Sequence, residues 1–456
     1  MTSFWFKSAL LESGWADDVL IEVDQTGVIV DIKTECRTNG ESGNGIAIPG
    51  MINVHSHAFQ RAFAGLSEYR TSEGDSFWTW RRLMYDFLQK LSPADCYAIA
   101  RHLFVEMLKA GYTHVGEFHY VHNSQGGARY TNIAEMADAV VRAACDAGIG
   151  ICMLPVLYQR GGFDDSEPDA AQQRFCLSVD ELMEIAQGVS DDWQDNVNVS
   201  VGIAPHSLRA CSMDRISELT TEFERRHPGR PIHIHVAEQT KEVEDCIAAN
   251  GATPVEYLMD HQEVDQRWCL IHATHMTESE HRRVAENGAV VGLCPATEAN
   301  LGDGIFATES HLAMKGKIAI GSDSHICVDL RGELRLIENS VRLTTRRRAV
   351  LCDESESVGR FLYSQACRGG AQALGLSAGQ MAVGSRADII VLDSLHPNMA
   401  ARRYDRWLDS FVFCESGDSP VSDTMVAGKW VIKDRSHISQ DDALREYRQS
   451  LARCLT

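Results

Sequence analysis

Apolar and polar positions change rhythm three times along this chain. From Val19 to Lys33 the sequence VLIEVDQTGVIVDIK alternates, breaks at a polar turn around Asp24–Gly27, and alternates again, which predicts a β-hairpin. The far end carries further β signals in ADIIVLD (Ala387–Asp393), FVFC (Phe411–Cys414) and TMVAGKWVIKD (Thr424–Asp434), the last with a turn at Ala427–Gly428. Between the ends, short apolar runs alternate with helical stretches, the pattern of βαβ units and a parallel sheet. The runs that read as strands are Ile48–Val54, His114–Phe118, Ile149–Leu157, Val197–Ala204, Ile232–Val236, Trp268–His272, Ala289–Cys294 and Lys317–Gly321. Ser92-Pro93 gives one intervening helix its cap and first-turn proline, and Gly111 follows it; Thr277-x-x-Glu280 is a capping box for another. Eight βα units predict an α/β fold, a (β/α)8 TIM barrel. The two β-rich ends are expected to pair into one small β-sandwich, because domain termini often lie close together. The expected organisation is residues 1–48 for the first part of the sandwich, 49–380 for the barrel, and 381–456 for the second part plus a C-terminal helix. The long loop Ala58–Leu91, with Trp78, Trp80, Arg81 and Arg82, is placed to cover the barrel mouth.

Composition narrows the function. The 456 residues carry 43 Lys plus Arg against 64 Asp plus Glu, a formal net charge of −21. Nucleic acid and anionic membranes are held by excess positive charge, so both are poor partners for this chain. The 14 cysteines contain no CxxC spacing, as expected of free thiols in a reducing cytoplasm. The N-terminal residues lack a basic segment followed by a long apolar run, and no window reaches the length of a membrane span, so a cytoplasmic protein is expected.

In a TIM barrel, chemistry gathers at the C-terminal ends of the strands. Here those ends read His55-Ser56-His57, Glu117-Phe118-His119-Tyr120, Pro205-His206 with Arg209 close behind, His233-Ile234-His235 followed by Glu238, His272, and Gly321-Ser322-Asp323. A single strand-end histidine is usually a hydrogen-bonded structural residue; their concentration on one rim points to a metal. In a strand, positions i and i+2 share a face, so His55 and His57 can converge on one ion. His235 and Asp323 can supply the remaining ligands across the barrel, leaving a position for water. His233 and His235 form a second HxH pair, and the Glu238 spacing favours His235.

These motifs resemble the amidohydrolase superfamily: PGMINVHSH (Pro49–His57), HIHVAE (His233–Glu238), His272, GSDSH (Gly321–His325), the return GSRADIIVLD (Gly384–Asp393), and the split β-sandwich. Within it, HSHAFQRAFAGL (His55–Leu66), FWTWRRLMY (Phe77–Tyr85), GEFHYVH (Gly116–His122) and APHSLRA (Ala204–Ala210) are similar to the branch that hydrolyses N-formimino-L-glutamate to N-formyl-L-glutamate and ammonia in histidine degradation. The resemblance implies one zinc ion held by His55, His57, His235 and Asp323. It implies catalytic roles for Glu238, His272 and Asp323. It implies substrate contacts from Gln60, Arg81, Tyr120, His206 and Arg209, with Arg81 taken over its neighbour Arg82. It also implies a homodimer acting on a small dianionic molecule.

Some relatives bridge two metals with a carboxylated lysine from strand three or four. This chain has no lysine between Lys109 and Lys241, which spans both, so one metal is expected. Other readings are a deaminase acting on a nucleobase or nucleoside ring, a triazine hydrolase, a formimino-aspartate deiminase, or a non-catalytic barrel. Rings need flat pockets and not paired arginines, and non-catalytic barrels lose ligands that are all present here. Arg346-Arg347-Arg348 reads as a solvated helix end or subunit contact, and Trp78 and Trp80 as packing of the long loop. His122 and His325 are candidates to orient metal ligands.

Overall fold

The computed structural model describes residues 1–36, 41–69, 77–415 and 417–455. Eight parallel strand positions close into a barrel: Met51–Ser56, Tyr112–His119, Gly150–Leu157, a fourth made of Val199–Val201 and Ala204–Pro205, Ile232–Val236, Trp268–His272, Val290–Leu293 and Lys317–Ile320. Strand eight closes onto strand one through Ile320 opposite Asn53 and Asp323 opposite Ser56. Strand four reaches strand five only through bridges, Ile203 to Ile232 and Ser207 to His235.

Two expected strands break where glycine lets backbones approach. The run Ile48–Val54 divides at Gly50: Glu41–Pro49 belongs to the outer sheet and the barrel strand starts at Met51. A Cβ at Gly50 would meet the Thr113 side chain at 2.3 Å. The run Val197–Ala204 is interrupted at Gly202, where a Cβ would meet Leu154 at 2.6 Å and the Pro231 carbonyl oxygen at 2.7 Å.

The two chain ends do meet, in one sandwich-like seven-stranded sheet. Its middle is a parallel pairing of Thr2–Leu11 with Glu41–Pro49, flanked by the hairpin Gly14–Val23/Ile29–Lys33 on one side. On the other lie Ile389–Leu392, Val421–Val426 and Lys429–Ile432. The expected strand Phe411–Cys414 is instead the end of a helix, Asp405–Phe413. Trp407, Leu408, Phe411 and Val412 form a buried stripe at helical spacing. A four-residue apolar run cannot by itself distinguish a strand from a buried helix face.

Caps fall where the sequence puts them. Ser92 and Asp95 form a capping box on helix Pro93–Ala110, which ends at the left-handed Gly111; Thr277 and Glu280 do the same for Glu278–Asn287. The C-terminal helix Gln440–Cys454 packs on Pro93–Ala110, with Arg101 paired to Glu446 at 2.9 Å and Arg453 to Asp95 at 2.5 Å. The 14 cysteines are free thiols. Among the described residues no helix is long and apolar enough to cross a membrane.

Candidate metal centre and active site

The pleat of strand one sends His55 and His57 to the same side, where they meet His235 from strand five. His55 Nε2 lies 3.0 Å from His235 Nε2, and Asp323 Oδ1 lies 3.4 Å from His55 Nε2 and 3.3 Å from His57 Nε2. His57 Nδ1 faces the Phe118 carbonyl at 2.8 Å and His235 Nδ1 the His206 carbonyl at 3.1 Å. A carbonyl only accepts, so each Nδ1 carries the proton and each Nε2 a lone pair aimed at the cluster. Burial holds His57 down at about 3 and His55 and His235 well below the usual histidine range, so the three rings are neutral. Neutral imidazoles are the form that binds metal. Metal–nitrogen bonds of 2.0–2.1 Å in a tetrahedron place ligand atoms about 3.4 Å apart, close to the separations seen here. The donor set therefore fits a divalent cation. His233, the other member of its HxH pair, points away and faces the Ala373 carbonyl at 2.8 Å.

Around this cluster lie the acid–base groups. His272 Nε2 is 3.8 Å from both Glu238 Oε1 and Asp323 Oδ2, while its Nδ1 is 3.2 Å from Glu298 Oε1. Burial acts to lower His272, but Glu238, the Glu298 hydrogen bond and Asp323 outweigh it and push the ring up to about 10. Burial pushes the Glu238 carboxyl up to about 7 against the pull of His272. His272 and Asp323 have φ of 65° and 44°. Non-glycine residues held in this left-handed region carry strain that clusters at functional sites.

A cavity of about 540 Å³ opens above the cluster. His57, His235, Glu238, His272 and Asp323 line it together with all five expected substrate contacts, Gln60, Arg81, Tyr120, His206 and Arg209; His55 lies beneath. Gln60 Nε2 donates to Tyr120 Oη at 2.9 Å. Arg81 stands on helix Phe77–Leu88 and Arg209 just past strand four. Trp80 lines the cavity and packs on Phe63; the side chains of Trp78 and Arg82 lie outside the described residues. His122 faces the Val156 carbonyl and does not orient a ligand. Arg346 caps a helix end and Arg347 pairs with Glu309.

Sequence reasoning missed two groups. Tyr85, Tyr158 and Phe175 line the cavity; Tyr85 ends the FWTWRRLMY stretch without being singled out in it, and Tyr158 and Phe175 come from loops with no motif to flag them. The second group is a buried relay behind the histidines. Asn53 Oδ1 accepts from His55 N and Ser322 N, both at 3.2 Å, which turns its Nδ2 toward Ser322 Oγ at 2.6 Å. Ser322 Oγ lies 3.0 Å from His325 Nδ1, His325 Nε2 3.1 Å from Ser56 Oγ, and Ser56 Oγ 2.5 Å from Glu117 Oε2. Glu117 Oε1 accepts from Ala58 N at 2.7 Å. Burial pushes the Glu117 carboxyl up to about 8, against the Ser56 and Ala58 hydrogen bonds. His325 thus orients the ligand strands, as its motif position suggests.

The profile of the Amidohydrolase family matches residues 46–431, and that of the Formimidoylglutamate deiminase HutF, N-terminal domain, matches residues 1–42. A formimidoylglutamate deiminase from Pseudomonas aeruginosa is 44% identical over 457 aligned positions, covering 100% of both chains. The crystal structure of an amidohydrolase from Brucella melitensis superposes with a TM-score of 0.94 at 41% identity, covering 100% of both chains. An adenosine deaminase from Xanthomonas campestris, solved with bound zinc, shares the fold at a TM-score of 0.83 and 21% identity, covering 100% of this chain and 98% of that one.

Proposed function

This chain belongs to the amidohydrolase family, and from that premise we propose that it hydrolyses N-formimino-L-glutamate to N-formyl-L-glutamate and ammonia, a step of histidine degradation. One observation carries the reading: a single cavity is lined both by the histidine–aspartate cluster and by two arginines, Arg81 and Arg209. A substrate with one hydrolysable amidine carbon and two carboxylates matches that pairing; a flat, uncharged ring does not. Arginine suits the carboxylates because its planar fork binds them bidentately and keeps its charge when desolvated.

His55, His57, His235 and Asp323 would hold one zinc ion per chain, which when bound supplies Lewis acidity and a water reactive at neutral pH. Neither strand three nor either half of strand four offers a bridging lysine for a second ion. Asp323 and His272 steer the proton of the attacking water. Glu238, with a carboxyl near 7, carries that proton to the departing nitrogen; the second proton comes from the carbon-bound hydroxyl as its C=O bond forms, and the nitrogen leaves as ammonia. Glu298 holds His272 by Nδ1 so that Nε2 faces the reacting side. Gln60, Tyr120 and His206 set the substrate backbone, and Arg81 and Arg209 take the carboxylates. The enzyme works in the cytoplasm as a homodimer.

The test is an ammonia-release assay of zinc-loaded protein with formimino-glutamate, formimino-aspartate, guanine, cytosine and adenosine. Formimino-glutamate is expected to be the best substrate. Its aspartate analogue, one methylene shorter, differs by only about 1–3 kcal/mol in transition-state binding. Ammonia released from the rings and not from the formimino acids would overturn the proposal.

A further inference from the structure

The cavity wall that carries Arg81 fixes protons as well as heavy atoms. Gln172 opens the short turn Gln172–Arg174, beyond strand three. Its Oε1 accepts from the Asp169 backbone N–H at 2.8 Å, so Nε2 is the end that faces the wall. That Nε2 donates to Tyr158 Oη at 2.8 Å and to Tyr85 Oη at 3.4 Å. Arg81 donates to the same two oxygens, through Nη2 to Tyr158 at 3.0 Å and through Nε to Tyr85. A phenol oxygen has two acceptor positions and one proton, and neither a guanidinium nor an amide N–H can accept that proton. On each phenol the acceptor positions are occupied by Arg81 and Gln172. The Tyr158 and Tyr85 hydroxyls also hydrogen-bond to each other, so one O–H of the pair is left over, and both rings line the cavity.

We propose that the Tyr85–Tyr158 pair presents a hydroxyl proton to the cavity and, with Arg81, forms one wall that grips a substrate carboxylate. Gln172 is the positioning residue that enforces this orientation. The inference rests on the dianionic substrate proposed above. A hydroxyl-to-carboxylate bond is charge-assisted and short, so one beside a guanidinium discriminates between a carboxylate and a neutral group. The phenols thereby add selectivity that an arginine alone, free to swing on its stem, does not give.

The test uses zinc-loaded wild type, Tyr85→Phe, Tyr158→Phe and Gln172→Ala. Substrates are N-formimino-L-glutamate and two monoanionic analogues, each lacking one of its carboxylates. Each phenylalanine variant is expected to raise KM for the dianion about 10-fold with kcat and zinc content little changed. One monoanion should be insensitive to the substitution, because it lacks the carboxylate gripped here; the other should respond like the dianion. Gln172→Ala should give the same pattern and add little in a Tyr85→Phe/Tyr158→Phe background, since the residues act as a unit. Equal effects on both monoanions, or none on any substrate, would overturn the inference. Calorimetric titration with glutarate, a dicarboxylate with no reactive carbon, separates the two readings. If wild type releases no ammonia yet binds glutarate, and Tyr158→Phe weakens it about 10-fold, the wall stands and the activity falls. Binding that is absent in wild type, or unchanged in Tyr158→Phe, sinks the wall.

Discussion

Glu238 is a carboxyl that burial has moved to about 7. If it relays the proton, Glu238→Gln should bind zinc normally and lose about 10²–10⁴ in kcat; normal zinc with full turnover would remove it from the mechanism. The same shift makes a stability prediction for the metal-free protein. Between the ordinary carboxyl value of 4.5 and about 7, the folded state binds this proton and the unfolded chain does not. The contribution is therefore complete below that window and is lost as pH rises through about 7. Thermal midpoints from pH 4 to pH 8 should show wild type losing ground to Glu238→Gln across that range. Arg209 lines the same cavity but lies outside the proton path. Arg209→Met should raise KM about 10- to 100-fold at unchanged zinc content, as steady-state kinetics with metal analysis would record; an unaltered KM removes Arg209 from the site.

Elements place these groups, and the links between elements are polar. The relay Asn53–Ser322–His325–Ser56–Glu117 ties strands one, two and eight together behind the histidine cluster. Groups that orient metal ligands are worth about 10- to 100-fold in metal affinity. His325→Ala should lower zinc affinity by that factor in a chelator-competition titration, while the circular dichroism of the fold stays the same. A second link is the turn Gln172–Arg174. Fully buried Arg174 donates to the carbonyls of Asn123, Leu88 and Leu91, which pins the C-terminal end of helix Phe77–Leu88. Arginine at a helix C-terminus satisfies carbonyls that the helix itself leaves open. The helix that carries Arg81 is thereby held from both ends of one short turn.

At the scale of the whole molecule, a net charge of −21 faces an anionic substrate. Bulk repulsion slows encounter at low ionic strength, and salt screens it over about 8–10 Å. Raising salt from about 10 mM to 150 mM should therefore increase kcat/KM for formimino-glutamate, the reverse of an enzyme that steers its substrate in. A fall over that range, measured by stopped-flow or steady-state kinetics, would mean that the local field around Arg81 and Arg209 outweighs the surface.

The sequence by itself determined the strand and helix rhythm, most caps, and the histidine, aspartate and glutamate side chains that gather at the barrel mouth. Each of those is encoded locally: period two puts His55 and His57 on one side, and each strand end names its neighbour. It misjudged Phe411–Cys414, because four apolar residues fit a strand and a helix face equally well. It merged two strands at Gly50, because only contact with Thr113 shows why the chain must turn there. The tertiary structure decided that His233 meets the Ala373 carbonyl while His235 joins the cluster, that Glu117 ends a buried relay, and that Tyr85, Tyr158 and Gln172 surround Arg81. The groups around Arg81 lie up to 91 positions from it, at Gln172, and Tyr158 and Gln172 belong to no motif. Their chemistry depends on which donor meets which acceptor, and that is settled only when distant segments pack.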